Sequence, residues 1–339
     1  MAKIIVPVVT VFGHDGKPDY EDNKKMIDYL IANHVDGILV LGSTGEFTEL
    51  SVAEKKDFLS FYANYVNGRV ALYAGTGCIT FDQTLELSNF VYGAGYKAPL
   101  VIGPFYYSMD QEKIFAYYDA LAKKLHGDMY IYNYPARSGH CVSAETIQRL
   151  TAANPNIVGL KDTVNEPSHT NQVCCAMAGT GFEVYSGFDD QFLYNAAAGG
   201  VGSIGGLANV VPDIWSDLIR AYNSGNLSRT VALSHLIDRL MPVYEMGSSC
   251  SLLFKKLLVH RGVEIDPKAI FPFDEADNAA FETVKKLLDQ VLLAYKGKCL
   301  STLDSNLQNV VCMDQLYPPD SIAGTARISW ERHLNLVLC

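Results

Sequence analysis

The chain has 339 residues, 49% of them hydrophobic and 19% charged, and a formal net charge of −10. This is the make-up of a water-soluble globular protein. The acidic balance disfavours nucleic-acid binding, which sets lysine and arginine against phosphates. No apolar run approaches the ~20 residues that span a bilayer, and the opening MAKIIVPVVT lacks the cleavage site of a secretory signal, so a cytoplasmic protein without a membrane partner is expected.

Short apolar runs alternate with stretches of helical length. The first run is IIVPVVTVF (4–12), followed by YEDNKKMIDYLIANHV (20–35), which sets Met26, Ile27, Leu30 and Ile31 on one helix face. GILVLG (37–42) leads into GSTGEF (42–47), where the hydroxyls of Ser43 and Thr44 lie between glycines. Amides and hydroxyls in such a turn can hold a small carboxylate without a formal cation. SVAEKKDFLSFYANYV (51–66) opens with a capping-box pattern, Ser51 and then Glu54. Next come ALYAGTG (71–77) and PLVIGPF (99–105), the latter followed by Tyr106 and Tyr107.

MYIYNYP (129–135) places Tyr132 near a strand end, with Arg137 just beyond. SAETIQRLTA (143–152) starts at a candidate cap, Ser143. IVGLKD (157–162) carries Lys161 at the end of a buried run, where an ammonium group is costly. FEVYSG (182–187) precedes Asp189 and Asp190, which fit capping at the start of the next helix. GVGSIGG (200–206) is the last strand candidate.

Eight strand candidates alternating with helical stretches imply parallel strands and right-handed crossovers. Their number and spacing predict an α/β fold, a (β/α)8 TIM barrel over residues 1–226, rather than an open sheet. An open nucleotide-binding sheet would usually carry a glycine-rich turn after its first strand, and VTVFGHDGKPD has none. Residues 227–297 read as a C-terminal helical region packed on the barrel or on a partner subunit. Residues 298–339 show no clear period and are assigned no role. The eight cysteines are scattered without a CxxC pair, so reduced thiols are expected. There is no HExxH and no Cys/His cluster, so no metal is expected.

In a barrel, functional groups gather at the C-terminal ends of the strands. Lys161, Tyr132 and the Ser43–Thr44 turn would then share one rim. A lysine made nucleophilic by burial can form an imine with a ketone. A tyrosine hydroxyl can move the protons, and a carboxylate holder can aim a 2-keto acid at the amine. Such a set defines a class I aldolase whose electron sink is the imine itself, so no cofactor is needed.

GSTGE, YNYPARSG and GLKDT, in that order, resemble the dihydrodipicolinate synthase / N-acetylneuraminate lyase family of pyruvate-dependent class I aldolases over residues 3–296. The resemblance implies a lysine–pyruvate imine at Lys161, Tyr132 as acid/base, and Ser43 and Thr44 on the pyruvate carboxylate. It also implies the backbone of Ile204 facing the keto acid and Tyr106 lent across a dimer interface. It further implies a homotetramer built as a dimer of dimers, with pyruvate and an aldehyde as the small-molecule substrates. Arg137 matches the arginine with which the synthases bind aspartate semialdehyde. GFDD (187–190), PFYY and KDT look more like the sugar-acid aldolases, with Asp189 and Asp190 accepting from substrate hydroxyls. The positions of the lysine-feedback pocket found in many synthases hold Val52, Lys55, Ile79 and Gln83, which do not match it. The expectation is therefore cleavage of a 2-keto-3-deoxy sugar acid. The alternatives are dihydrodipicolinate synthesis and, more remotely, a non-catalytic keto-acid sensor.

Overall fold

Strands form in all of the expected apolar runs, and they close in sequence order into a parallel barrel, β1-β2-β3-β4-β5-β6-β7-β8. The structure, a computed structural model, describes residues 1–246, 249–273 and 277–298. Residues 299–339, nearly all of the expected tail, lie outside the described residues. The strands are β1 Lys3–Pro7, β2 Gly37–Val40, β3 Ala71–Gly75, β4 Ala98–Ile102, β5 Met129–Asn133, β6 Ile157–Asp162, β7 Glu183–Ser186 and β8 Gly202–Ser203. Helices α1 Tyr20–Ala32, α2 Val52–Val66, α3 Phe81–Gly93 and α4 Gln111–Ala122 follow the first four strands. A single turn, α5 Pro135–Ser138, precedes α6 Ala144–Ala153. Then come α7 Pro167–Ala176, α8 Phe192–Ala197 and α9 Pro212–Asn223.

Local chemistry sets several boundaries. At the start of α2, Ser51 and Glu54 cap each other's backbone reciprocally, as the sequence predicts. Ser143 caps α6 by accepting from Thr146 N. The first helix stops short of the expected residue 35, because His34 turns into the left-handed region at φ 61°. β8 is much shorter than the run 200–206 suggested. Gly202 has φ 153°, and a Cβ there would stand 2.1 Å from Lys3 O. Only glycine lets β8 come close enough to β1 to close the barrel.

Side-chain parity decides what faces inward. In β5, Met129 and Ile131 pack outward against the helices, while Tyr130 and Tyr132 join the interior cluster with Leu39, Leu100, Ile102, Tyr185 and Ile204. In β6, Leu160 faces outward, which turns its neighbour Lys161 toward the interior; a register shift opposite Met129 and Tyr130 breaks the alternation and lets Ile157 face outward as well. The N-terminal mouth is closed by Glu183, which accepts from Tyr130 Oη at 2.5 Å and Tyr185 Oη at 3.1 Å and pairs with Lys3 at 3.3 Å. Chemistry is thereby left to the other mouth.

Met1–Lys296 forms one compact unit. The expected boundary at residue 226 falls in the turn between α9 and α10 (Leu227–Asp238). Helices α11 (Cys250–His260) and α12 (Asn278–Leu293) complete the expected helical region, and Leu253, Phe254, Leu257, Val284, Leu288 and Val291 belong to the same core as β1 and α1.

Candidate active site

Tyr132 and Lys161 are register partners at the C-terminal ends of β5 and β6. The lysine is 4% exposed, and its Nζ lies 4.4 Å from the centroid of the Tyr132 ring. A ring face accommodates an amine in either protonation state but cannot replace the hydration of an ammonium group. Burial pulls the Lys161 pKa down to about 7, and the charge of Asp189 opposes that fall. Part of the population thus carries a free amine lone pair at neutral pH, the form that attacks a carbonyl.

The Tyr132 hydroxyl lies 3.5 Å from Ser43 Oγ. Burial raises the Tyr132 pKa, while the Ser43 and Thr163 hydroxyls and the Arg137 charge draw it back. Tyr132 and Ser43 line a cleft together with Gly42, Phe47, Gly75, Gly77, Leu100 and Ile102. Tyr132 thus has Lys161 over its ring and Ser43 beside its hydroxyl, and Ile204 shares the interior cluster with Tyr132.

The Ser43–Gly45 turn is held from several sides. Leu41, just before it, and Glu46, just after it, have positive φ of 59° and 54°. Non-glycine residues keep such angles only where their surroundings enforce them. Thr10 Oγ1 donates to Gly45 O at 2.7 Å, and Ser251 Oγ of α11 donates to Thr44 O at 2.9 Å. Glu46 accepts from Lys255 Nζ, also on α11, at 2.6 Å and from Ile270 N at 3.2 Å. Lys255 is fully buried and also donates to Lys268 O at 2.6 Å. Sequence reasoning missed this clamp; its one signal is a lysine on the apolar side of LLFKKLL.

The two aspartates part company. Asp189 is 1% exposed and accepts from Tyr244 Oη at 2.6 Å and from Leu207 N at 3.4 Å. Its Oδ1 has no partner among the described residues. Burial lifts its pKa to about 6. Asp190 is exposed, and neither residue caps the following turn with its side chain. Asp238 of α10, also unforeseen, is pushed to about 7 by burial and by the charges of Asp190 and Asp189.

Arg137 is exposed on α5 and makes no salt bridge among the described residues. Tyr106 is 87% exposed, has φ 91° and stands edge-on to Tyr107 at 4.9 Å, so within one chain it stays out in solvent. Among the described residues no three His, Cys, Asp or Glu side chains converge as metal ligands. No described helix is long and apolar enough to cross a membrane.

A model of the dihydrodipicolinate synthetase family matches residues 1–291. The putative 2-dehydro-3-deoxy-D-gluconate aldolase YagE of Escherichia coli K12 is 28% identical over 86% of this chain and 97% of its own. The probable 2-dehydro-3-deoxy-D-pentonate aldolase YjhH of the same organism is 29% identical over 84% and 95%. A 4-hydroxy-tetrahydrodipicolinate synthase of Clostridium perfringens is 31% identical over 68% and 79%. The crystal structure of YagE in complex with pyruvate superposes with a TM-score of 0.83 at 28% identity, covering 86% of this chain and 99% of that one.

Proposed function

The chain belongs to the dihydrodipicolinate synthetase family, and we propose that it is a pyruvate-dependent class I aldolase cleaving a 2-keto-3-deoxy sugar acid. The observation that carries this reading is Lys161, buried against the Tyr132 ring with a pKa near neutrality. In the proposed cycle the Lys161 amine attacks C2 of the keto acid and water leaves. The C4 hydroxyl gives its proton to the Tyr132 oxygen as the protonated imine draws the electrons of the C3–C4 bond, which breaks to release the aldehyde and leave an enamine. Protonation at C3 and hydrolysis then free pyruvate and regenerate the amine.

Tyr132 shuttles protons, passing them through the Ser43 hydroxyl. Ser43, Thr44 and the backbone of Ile204 grip and align the keto-acid end. Asp189 and Asp190 accept from the acceptor's hydroxyls, Asp190 from the open rim and Asp189 through its one unpartnered oxygen. Their acidity, and the relatedness to YagE and YjhH, favour a polyhydroxy acceptor.

Dihydrodipicolinate synthesis is the second reading, favoured by Arg137, whose exposed guanidinium could clamp a substrate carboxylate bidentately. The strained, exposed Tyr106 supports an assembly in which a second copy covers it, and we infer the homotetramer of the sequence reading, working in the cytoplasm.

Pyruvate with borohydride should add a stable mass at Lys161. An equal adduct on Lys161→Ala protein would refute the mechanism. Cleavage of 2-keto-3-deoxygluconate and N-acetylneuraminate, set against condensation of pyruvate with aspartate semialdehyde, decides the acceptor. Pyruvate binding without an imine and without turnover on any of these would favour the sensor.

A further inference from the structure

We propose that Cys141 is a peroxide-reactive thiol, activated by a His169–Asp162 relay on the outer side of β5 and β6. The three residues stand in line. Asp162 Oδ2 lies 2.9 Å from His169 Nδ1, and His169 Nε2 lies 3.5 Å from Cys141 Sγ. Nothing in the proposed aldolase cycle uses Cys141 or His169.

Hydrogen-bond bookkeeping fixes the charges. Asp162 already accepts from Thr170 Oγ1 at 2.6 Å and from Asn133 Nδ2 at 2.8 Å, so the ionised carboxylate suits its place. It leaves Nδ1 of His169 only the role of donor. The other nitrogen, Nε2, lies 2.9 Å from Val142 O, a carbonyl that can only accept. Acceptors on both ring nitrogens require an imidazolium. Burial opposes that charge, but the hydrogen bond to Asp162, backed by Cys141, outweighs it and raises the His169 pKa to about 10.

The sulfur faces two donors. One is the Nε2–H of His169, shared with Val142 O. The other is Asn133 Nδ2 at 3.5 Å. The amide of Asn133 cannot be turned round, because its Oδ1 accepts from Val142 N at 3.0 Å. Among the described residues the one acceptor within reach of an S–H is Val142 O, at 4.0 Å. A sulfur set between an imidazolium and an amide N–H is arranged to accept, which is the thiolate's role. Cys141 is half-buried and His169 keeps 16% side-chain exposure, enough for a small oxidant to arrive.

In the step proposed, the Cys141 thiolate attacks one oxygen of hydrogen peroxide. The S–O bond forms as the O–O bond breaks, and two electrons pass from sulfur to the peroxide. The departing hydroxide takes the Nε2 proton of His169 and leaves as water. Cys141 ends as a sulfenic acid beside a neutral imidazole.

The chain carries its own reference, because Cys175 is exposed and lies outside this relay. Wild-type protein at pH 7 is treated with limiting peroxide in the presence of dimedone, and the adducts are counted peptide by peptide. With its sulfur set between the His169 ring and the Asn133 amide, Cys141 should react about tenfold faster than Cys175, which lacks those donors. His169→Ala should bring the two rates together, and Cys141→Ser should abolish the fast adduct. A wild-type ratio near one overturns the proposal, whether or not the variants fold. So does a ratio that a folded His169→Ala protein leaves unchanged.

Discussion

Replacing Lys161 with methionine should stabilise the protein at neutral pH while abolishing imine formation. The side chain is 4% exposed, and its amine titrates at about 7 in place of the ordinary 10.5. At ~1.4 kcal/mol per pH unit, that gap means the buried lysine costs the fold roughly 4–5 kcal/mol. The cost is fully present below about pH 7, where both folded and unfolded chains hold the proton. Between about 7 and 10.5 only the unfolded chain holds it, so the cost fades as pH rises, and above 10.5 it is gone. Methionine fills a similar volume and has no charge to desolvate. The attraction of Asp189 is already contained in that gap, so allowing ~1 kcal/mol for imperfect packing the net gain is about 3–5 kcal/mol at pH 7. Urea titrations of both proteins from pH 6 to pH 9 read this directly. The gain should shrink by roughly 2–3 kcal/mol across that range. A Lys161→Met protein less stable than wild type at pH 7, or a gain independent of pH, would show that the amine is not held in a dry site.

The electrostatics around that amine can be tested from the other side. The Asp189 charge holds the Lys161 pKa up against burial, so Asp189→Asn should move the midpoint of pyruvate–borohydride trapping to lower pH; an upward or absent shift would remove Asp189 from the amine's field. On the clamp, Lys255→Met leaves the Glu46 carboxylate, 8% exposed in its side chain, with only the amide of Ile270 among the described residues. Calorimetry should show a loss of about 3–5 kcal/mol, and the KM for pyruvate should rise as the Ser43–Gly45 turn loosens. Adding Glu46→Gln should recover much of the stability, because the uncompensated charge is then gone. A single variant as stable as wild type would mean that the pair does not hold the turn.

What the sequence made legible is what short-range chemistry encodes. β6 was readable from one end to the other, because a short apolar run ends in a lysine whose ammonium group would be costly there. The capping box of α2 was readable because both partners lie within four residues of one another. The length of β8 was not, since a glycine-rich run conceals which of its residues pairs and which merely approaches Lys3. Contacts between distant segments left still less trace. LLFKKLL hints that one lysine is buried, but nothing local names Glu46, 209 positions earlier, as its partner. In the same way, the relay from Asp162 through His169 to Cys141 needs the start of α7 to fold back on the loop after β5. Asp189 was visible as a chemical possibility, yet its partner Tyr244 lies 55 residues away.

Those long-range contacts change the standing of the C-terminal helical region, which reads in the sequence as something added to a finished barrel. Three of its side chains reach the rim: Ser251 holds Thr44 O, Lys255 holds Glu46, and Tyr244 holds Asp189. Each contact ends on a residue of, or next to, the proposed pyruvate site, and two of them meet groups whose burial without a partner would be costly. The positive φ of Glu46 needs an outside force to hold it, and the Lys255 pair supplies one. Barrel strands alone fix Lys161 and Tyr132 by register, but they do not fix the turn that must lie opposite them. The proposed active site is thus assembled from two parts of the chain, with the barrel supplying the candidate reacting groups and α11 with its preceding loop holding the turn opposite them.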